Sequence, residues 1–185
     1  MRPVPTGKEI KISSTTMIVS KTDEKGIITY GNSNFVEISG YKETELIGSP
    51  HNILRHPDMP RAIFYFMWES IKKGRNITAV VKNLAQNGDH YWVVTDFDIK
   101  RDQNMRVKNY IAFRQVAPKN VLKEIEPLYA KMLEIEKEHG MDASIEYLES
   151  YLEELGMNYN QFIENLAKPK GIASIFFSKM KAMFA

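Results

Sequence analysis

Residues 77–99 read ITAVVKNLAQNGDHYWVVTDFDI. Before the Asn87-Gly88 pair, Ala79, Val81 and Asn83 share one side of an alternating pattern. After it, Tyr91, Val93, Thr95, Phe97 and Ile99 alternate with Trp92, Val94, Asp96 and Asp98. A period of two is that of a strand, whose successive side chains point to opposite faces. Asn-Gly readily takes the positive φ that a tight turn requires. The stretch therefore predicts two antiparallel strands joined by a hairpin.

Downstream, residues 101–104 turn the chain into Tyr110-Ile111-Ala112-Phe113-Arg114, a further strand. Upstream, Ala62, Ile63, Phe66, Met67, Ser70 and Ile71 recur at helical spacing and predict an amphipathic helix that ends near Gly74. Asp58 is placed to cap it, with Pro60 in the first turn, where a missing N–H costs least. Residues 42–46 form a short helical turn closing at Gly48. Before that, Asn32 is a candidate N-cap for a short helix carrying Phe35, Val36 and Ile38, which Gly40 ends. Met17-Ile18-Val19 and Ile27-Ile28-Thr29-Tyr30 read as strands flanking a turn at residues 23–26. The order is strand, strand, short helices, long helix and three strands. It predicts an α+β domain over residues 14–117, a five-stranded antiparallel sheet with helices on one face. Residues 1–13, with Pro3, Pro5 and Gly7, read as a flexible lead-in.

Beyond Pro118 the period becomes helical. Ile125, Leu128, Tyr129, Met132 and Leu133 form one stripe up to Gly140, and Ile145, Leu148, Leu152 and Leu155 form another. Residues 118–167 are thus a helical extension, with residues 158–167 as a third helix. Lys168-Pro169-Lys170-Gly171 reads as a linker to a basic amphipathic helix over residues 172–185, with Ile172, Ile175, Phe176, Met183 and Phe184 on its apolar side. Two readings of that last segment are equally open: docking on the protein's own core, or lying on an anionic membrane or a receptor.

The chain has 185 residues, 43% hydrophobic and 26% charged, which suits one packed domain with an appendage. It has no Cys, which excludes disulfides, thiolate nucleophiles, iron–sulfur clusters and a cysteine adduct with a flavin. Charge is segregated. Residues 1–120 hold 18 basic and 12 acidic side chains, residues 121–157 hold 3 and 10, and residues 168–185 hold four Lys and no acid. The acidic stretch would repel phosphate, and the lysines are not arranged for nucleic-acid readout. No leader sequence and no apolar run near the roughly 20 residues of a membrane span is present, so the expected location is the cytoplasm. No nucleophile elbow, P-loop or phosphoacceptor pattern occurs, and the expectation is a binding module and not an enzyme. Among the four histidines only His51 and His56 are close in sequence, which disfavours a metal site.

The run His51-Asn52-Ile53-Leu54-Arg55-His56-Pro57-Asp58-Met59-Pro60, followed by Trp68, Lys82-Asn83 and Asn87-Gly88-Asp89-His90-Tyr91-Trp92-Val93, resembles the FAD-binding PAS domains of aerotaxis and energy-taxis receptors. The resemblance covers roughly residues 17–117, and residues 124–132 also resemble the segment that follows such a domain. It implies a PAS fold holding a non-covalent FAD whose redox state reports on energy metabolism. It also implies the split arrangement, a small PAS protein acting on a separate membrane chemoreceptor or other signalling protein. A homodimer and peripheral contact with the inner membrane face through residues 172–185 are compatible with it. Carried over by position, the flavin-associated side chains fall on Asn32, Arg55, His56, Asp58, Phe64, Trp68 and Asn83. Tyr91 and Arg114 join the candidate set from the strands. One departure is Ile77, where many relatives carry Trp shortly before the first strand of the hairpin.

Each residue also has a plainer reading. Residues 55–58 could be a stiff loop that caps a helix, or Arg, His and Asp donors and acceptors for phosphate and ribose. Asn83 points inward from mid-strand, and its amide needs a partner: backbone, water or the uracil-like edge of a flavin. Phe64 and Trp68, four apart on one helix, are core packing or aromatic walls. Arg114 is a solvated strand residue, or a cation near the pyrimidine end of the ring that raises its potential. Trp92 faces away from Tyr91, towards the helical tail or a partner. The alternatives to FAD are a cofactor-free dimerisation or docking adaptor, which Ile77 supports, and a haem or small-molecule sensor, although the long helix offers no His as axial ligand.

Overall fold

The computed structural model describes residues 2–167; the residue 168–185 readings, linker and amphipathic helix, lie outside the described residues. The sheet comprises β1 (Ile18–Thr22), β2 (Ile28–Gly31), β3 (Thr78–Leu84), β4 (His90–Arg101) and β5 (Val107–Val116), in the antiparallel order β2-β1-β5-β4-β3. Between β2 and β3 run α1 (Ser33–Ser39), α2 (Glu43–Leu46), a 3₁₀ turn (His51–Leu54) and α3 (Arg61–Lys72). Pairing fixes which side chains share the inner face. Asn83 faces Tyr91, Thr95 faces Arg114, and Ala112 faces both Phe97 and Ser20. The helices before β3 cover this face, and Ile18, Ile28, Phe35, Ile63 and Val93 are at most 1% exposed between the layers. Each such side chain contributes about 1.5–3 kcal/mol by leaving water.

Asn32 caps α1 as its sequence position suggests: its Oδ1 accepts from the Phe35 N–H at 3.0 Å, and Gly40 ends the helix at φ 72°. Asp58 does not cap α3. Pro60 occupies the cap position without a side-chain bond, and the Asp58 carboxylate instead pairs with Lys82 Nζ at 2.8 Å. The hairpin also differs from a two-residue turn. Residues 85–89 form a longer loop in which Ala85 N–H donates to the Asp89 carbonyl and Asn87 Oδ1 accepts from Asp89 N–H. The lead-in is paired and not loose. Thr6 N–H donates to the Gly88 carbonyl, and residues 8–10 run parallel to β4 around His90, filling the place that β5 leaves open at its end. Gly88, at φ 88°, allows this approach, because a Cβ there would run into the Val4 carbonyl.

The extension consists of α4 (Lys119–His139), α5 (Met141–Glu154) and α6 (Tyr159–Ala167). α4 lies against the sheet's other side, α6 runs along the β3 edge, and α5 packs on α3. Trp92, outward as expected, is 6% exposed against the Tyr129 ring of α4, with centroids 6.2 Å apart. Along the free edge of β3, Asn160 Oδ1 accepts from Thr78 N–H, Tyr129 donates to the Val80 carbonyl at 2.9 Å, and Lys82 N–H meets Met59 Sδ. Arg55 bridges to Asn83 further along. An otherwise open row of backbone groups is thereby covered. Tyr129 and Tyr159 share a hydroxyl bond of 2.8 Å, fully buried. Tyr129→Phe should therefore cost about 1–2 kcal/mol by leaving the Val80 carbonyl short of a donor and the Tyr159 hydroxyl short of an acceptor. A lowered urea midpoint with an unchanged slope would report it, and an unchanged midpoint would contradict it.

Candidate functional site

Between α3 and the inner face lies a cavity of about 520 Å³, within the range of pockets that bury a small ligand. Strand alternation brings Asn83, Thr95, Ala112 and Arg114 to its floor, and the spacing of α3 brings Phe64 and Trp68 to its wall. Arg55 lines it too, its guanidinium 4.3 Å from the Phe64 ring centroid and donating to the Met59 carbonyl. Trp68 meets Tyr110 edge-on at 5.7 Å and closes over Gly26.

The deepest feature is a cation. Arg114 is 4% exposed, and among the described residues no carboxylate pairs with it. It donates to Ser20 Oγ and to His51 Nε2, both at 2.9 Å, and its guanidinium lies 6.0 Å from the Phe35 ring. Burial pulls its pKa down to about 10, with Tyr91 nearby opposing that shift. His51 is pushed down to about 3, first by burial and then by Arg114. It is therefore neutral at physiological pH and accepts at Nε2, so its proton sits on Nδ1. Beside this pair, Thr95 Oγ1 is buried without a partner, and so is Asn83 Nδ2 on β3. A buried donor left unpaired costs about 1–3 kcal/mol, and a buried ion costs more. The cavity thus presents an uncompensated positive charge and two unused polar groups to whatever fills it.

Of the sequence candidates, the structure brings together Arg55, Phe64, Trp68, Asn83 and Arg114. The other four stand elsewhere. Asn32 spends its amide on Val19, Phe35 and Met17 backbone groups. Tyr91 is 1% exposed on the inner face beside Asn83, outside the cavity lining. His56 is 2% exposed, its Nδ1 accepting from Asp58 N–H and its ring 5.7 Å from that of His90; burial holds its pKa down at about 4. Asp58 lines a separate groove on the outer side, with Trp92 and Glu126. Ile77 is 3% exposed and outside the cavity lining. His51, Ser20, Thr95 and Met141 line the site without having been singled out. Alternation on β1 and β4 could have flagged Ser20 and Thr95; nothing local flags Met141.

A five-stranded antiparallel sheet with a cavity between its inner face and a helical wall agrees in architecture with the family comparison, in which residues 28–114 match the model described as the PAS fold. The chain carries a PAS domain. Over 127 residues it is 39% identical to the aerotaxis receptor of Escherichia coli (strain K12), covering 69% of this chain and 25% of the receptor. It is 24% identical over 104 residues to a nitrogen fixation regulatory protein of Klebsiella pneumoniae, covering 56% of this chain and 21% of that protein. The chain therefore spans about a quarter of the length of these curated relatives or less. Among solved structures, the PAS domain aligns with the blue-light photoreceptor Aureochrome1 LOV at a TM-score of 0.52 and 21% identity, over 65% of this chain and 91% of that one. It also aligns with a PAS domain from Colwellia psychrerythraea at 0.51 and 19%, over 56% and 87%. The relatives' names are those of a receptor and a regulatory protein, and what residues 28–114 share with such proteins is the PAS fold. No helix of the described residues is long and apolar enough to cross a membrane.

Proposed function

We propose that this PAS domain binds FAD in the cavity between α3 and the sheet and relays its redox state, by contact, to a membrane chemoreceptor or another signalling protein. The observation that carries the reading is Arg114: a buried cation without a carboxylate, next to the unpartnered Thr95 Oγ1 and Asn83 Nδ2. A planar ring bearing carbonyl oxygens and able to take up negative charge suits that set, and Phe64, Trp68 and Tyr110 offer it aromatic walls. When bound, FAD supplies an electron-accepting ring whose charge depends on its redox state. Arg114 and Asn83 are positioned to hold the end of the ring where that charge develops. Their hydrogen bonds shift with it, and β3 and β4 carry the shift to Trp92 and α4 on the other side. The 39% identity to an aerotaxis receptor supports a role in energy sensing. A cytoplasmic location, a homodimer and peripheral membrane contact through residues 172–185 belong to the same proposal.

Purified protein titrated with FAD tests it. Wild type should take up FAD and hold it with absorption near 450 nm, and Asn83→Ala and Trp68→Ala should each weaken uptake about tenfold while remaining folded. Full retention in both variants would move the site elsewhere. A folded wild type that stays colourless after reconstitution would leave the cofactor-free adaptor as the reading, and a Soret band would indicate haem.

A further inference from the structure

Met141 sits where α4 hands over to α5, outside the PAS family match at residues 28–114, yet it lines the cavity. α5 packs on α3, the helix that supplies the aromatic wall. Just before this corner, Glu136 turns its carboxylate inward, with its side chain 4% exposed. Its oxygens accept from the Arg61 backbone N–H at 3.0 and 2.8 Å, and Oε1 also accepts from Arg61 Nε at 2.7 Å. A carboxylate at a helix N-terminus satisfies otherwise orphaned N–H groups and opposes the positive end of the helix dipole. Pro60 gives α3 no cap of its own, so the cap comes from 75 residues downstream. Burial lowers the pKa of Arg55, and the same carboxylate opposes that shift. Arg55 and Arg61 both line the cavity, so one buried acid from the C-terminal helices steadies both cations at its rim.

We infer that the α4–α5 corner is a lid on the PAS cavity, closed by Met141 and latched by Glu136, so that a ligand inside and the docked C-terminal helices stabilise each other. The identity of that ligand rests on the flavin reading; the lid itself rests on the Glu136 and Met141 contacts. Glu136 is a positioning residue: it fixes the start of α3 and, through it, the placing of Phe64 and Trp68. Binding linkage is reciprocal, so whatever the lid adds to ligand retention the ligand returns to the lid. A change in the cavity then reaches α5 directly, without passing through the sheet.

The test uses the full chain with FAD as probe. FAD should leave Glu136→Ala on the order of tenfold faster than wild type, and Met141→Ala several-fold faster. In wild type, bound FAD should slow amide hydrogen exchange along α5; in Glu136→Ala, α5 should exchange faster than in wild type with or without FAD. A role confined to stability would lower the melting temperature but leave α5 exchange indifferent to FAD. Equal release rates in all three proteins, or an α5 blind to bound FAD, would overturn the lid. If wild type takes up no FAD, the flavin reading fails, and exchange in the FAD-free proteins decides the latch: equal α5 exchange in wild type and Glu136→Ala overturns it. Should Glu136→Ala not fold, Met141→Ala carries the release measurement.

Discussion

Arg114→Met is expected to make the ligand-free protein more stable and its hold on FAD weaker. Desolvating a guanidinium costs several kcal/mol, offset only in part by neutral partners. Here those partners are Ser20 Oγ, the neutral His51 and, at 3.5 Å, the Ala112 carbonyl. Methionine fills similar space without charge, and Ser20 and His51 remain bonded to each other at 3.1 Å. The gain should be about 1–3 kcal/mol, or a melting temperature higher by roughly 2–10 °C for a chain of this size. FAD affinity should fall tenfold or more as the cation that meets the electron-rich end of the ring is lost. Thermal melts of FAD-free protein and an FAD titration read the two effects separately. A lower melting temperature would make Arg114 a structural residue, and undiminished affinity would remove it from the site. A stability cost located at the floor of the cavity is the pattern expected of a residue kept for function.

Mild acid should destabilise the protein through two buried histidines. His51 has its pKa held down at about 3 and His56 at about 4, while in the unfolded chain both stand near 6.5. As the pH falls through 6.5 the unfolded state takes up protons that the folded state refuses. The stability these residues provide is therefore complete above the unfolded value and drains away as the pH drops towards their folded values. His90, also lowered by burial, acts in the same direction. Between pH 7.5 and pH 5 the two buried rings together should cost on the order of 4 kcal/mol, at about 1.4 kcal/mol per unit for each. The depressed pKa of Asp58 enters only below that window. Melting curves at the two pH values check the slope, and His56→Gln should flatten it by about half. Identical melting temperatures at pH 7.5 and 5 would show that these rings are not buried in the neutral form.

What the sequence discloses here follows from the range of the interactions. Strands declared themselves because alternation is a local property: the side on which Asn83 and Arg114 lie follows from counting by two, and both line the cavity. Asn32 was legible as a helix start for the same reason, its acceptor lying three residues from the donor it serves. Asp58 misled because the group that actually caps α3 is Glu136, and nothing near Pro60 announces a carboxylate so far along the chain. His51 was likewise hidden, since its neutral state follows first from burial and then from Arg114, 63 residues away. The wrapping of α4 and α6 around the β3 edge follows from Tyr129 and Asn160 meeting backbone groups of a strand about 50 and 80 residues earlier. A hydrophobic stripe shows that a helix will be covered; it does not show by what.

The covering of the sheet's margins also bears on self-assembly. On one margin Asn160, Tyr129 and Met59 already occupy β3, and on the other Ile28 exchanges bonds with Ser49 and Gly48 while Ile27 bridges Pro50. Two molecules could not zip their sheets together along β3 or the start of β2 without first stripping away their own side chains and loops, which favours pairing through helical or side-chain surfaces. Such a pair would separate without tearing strands apart, a form of association that can be made and unmade as conditions change.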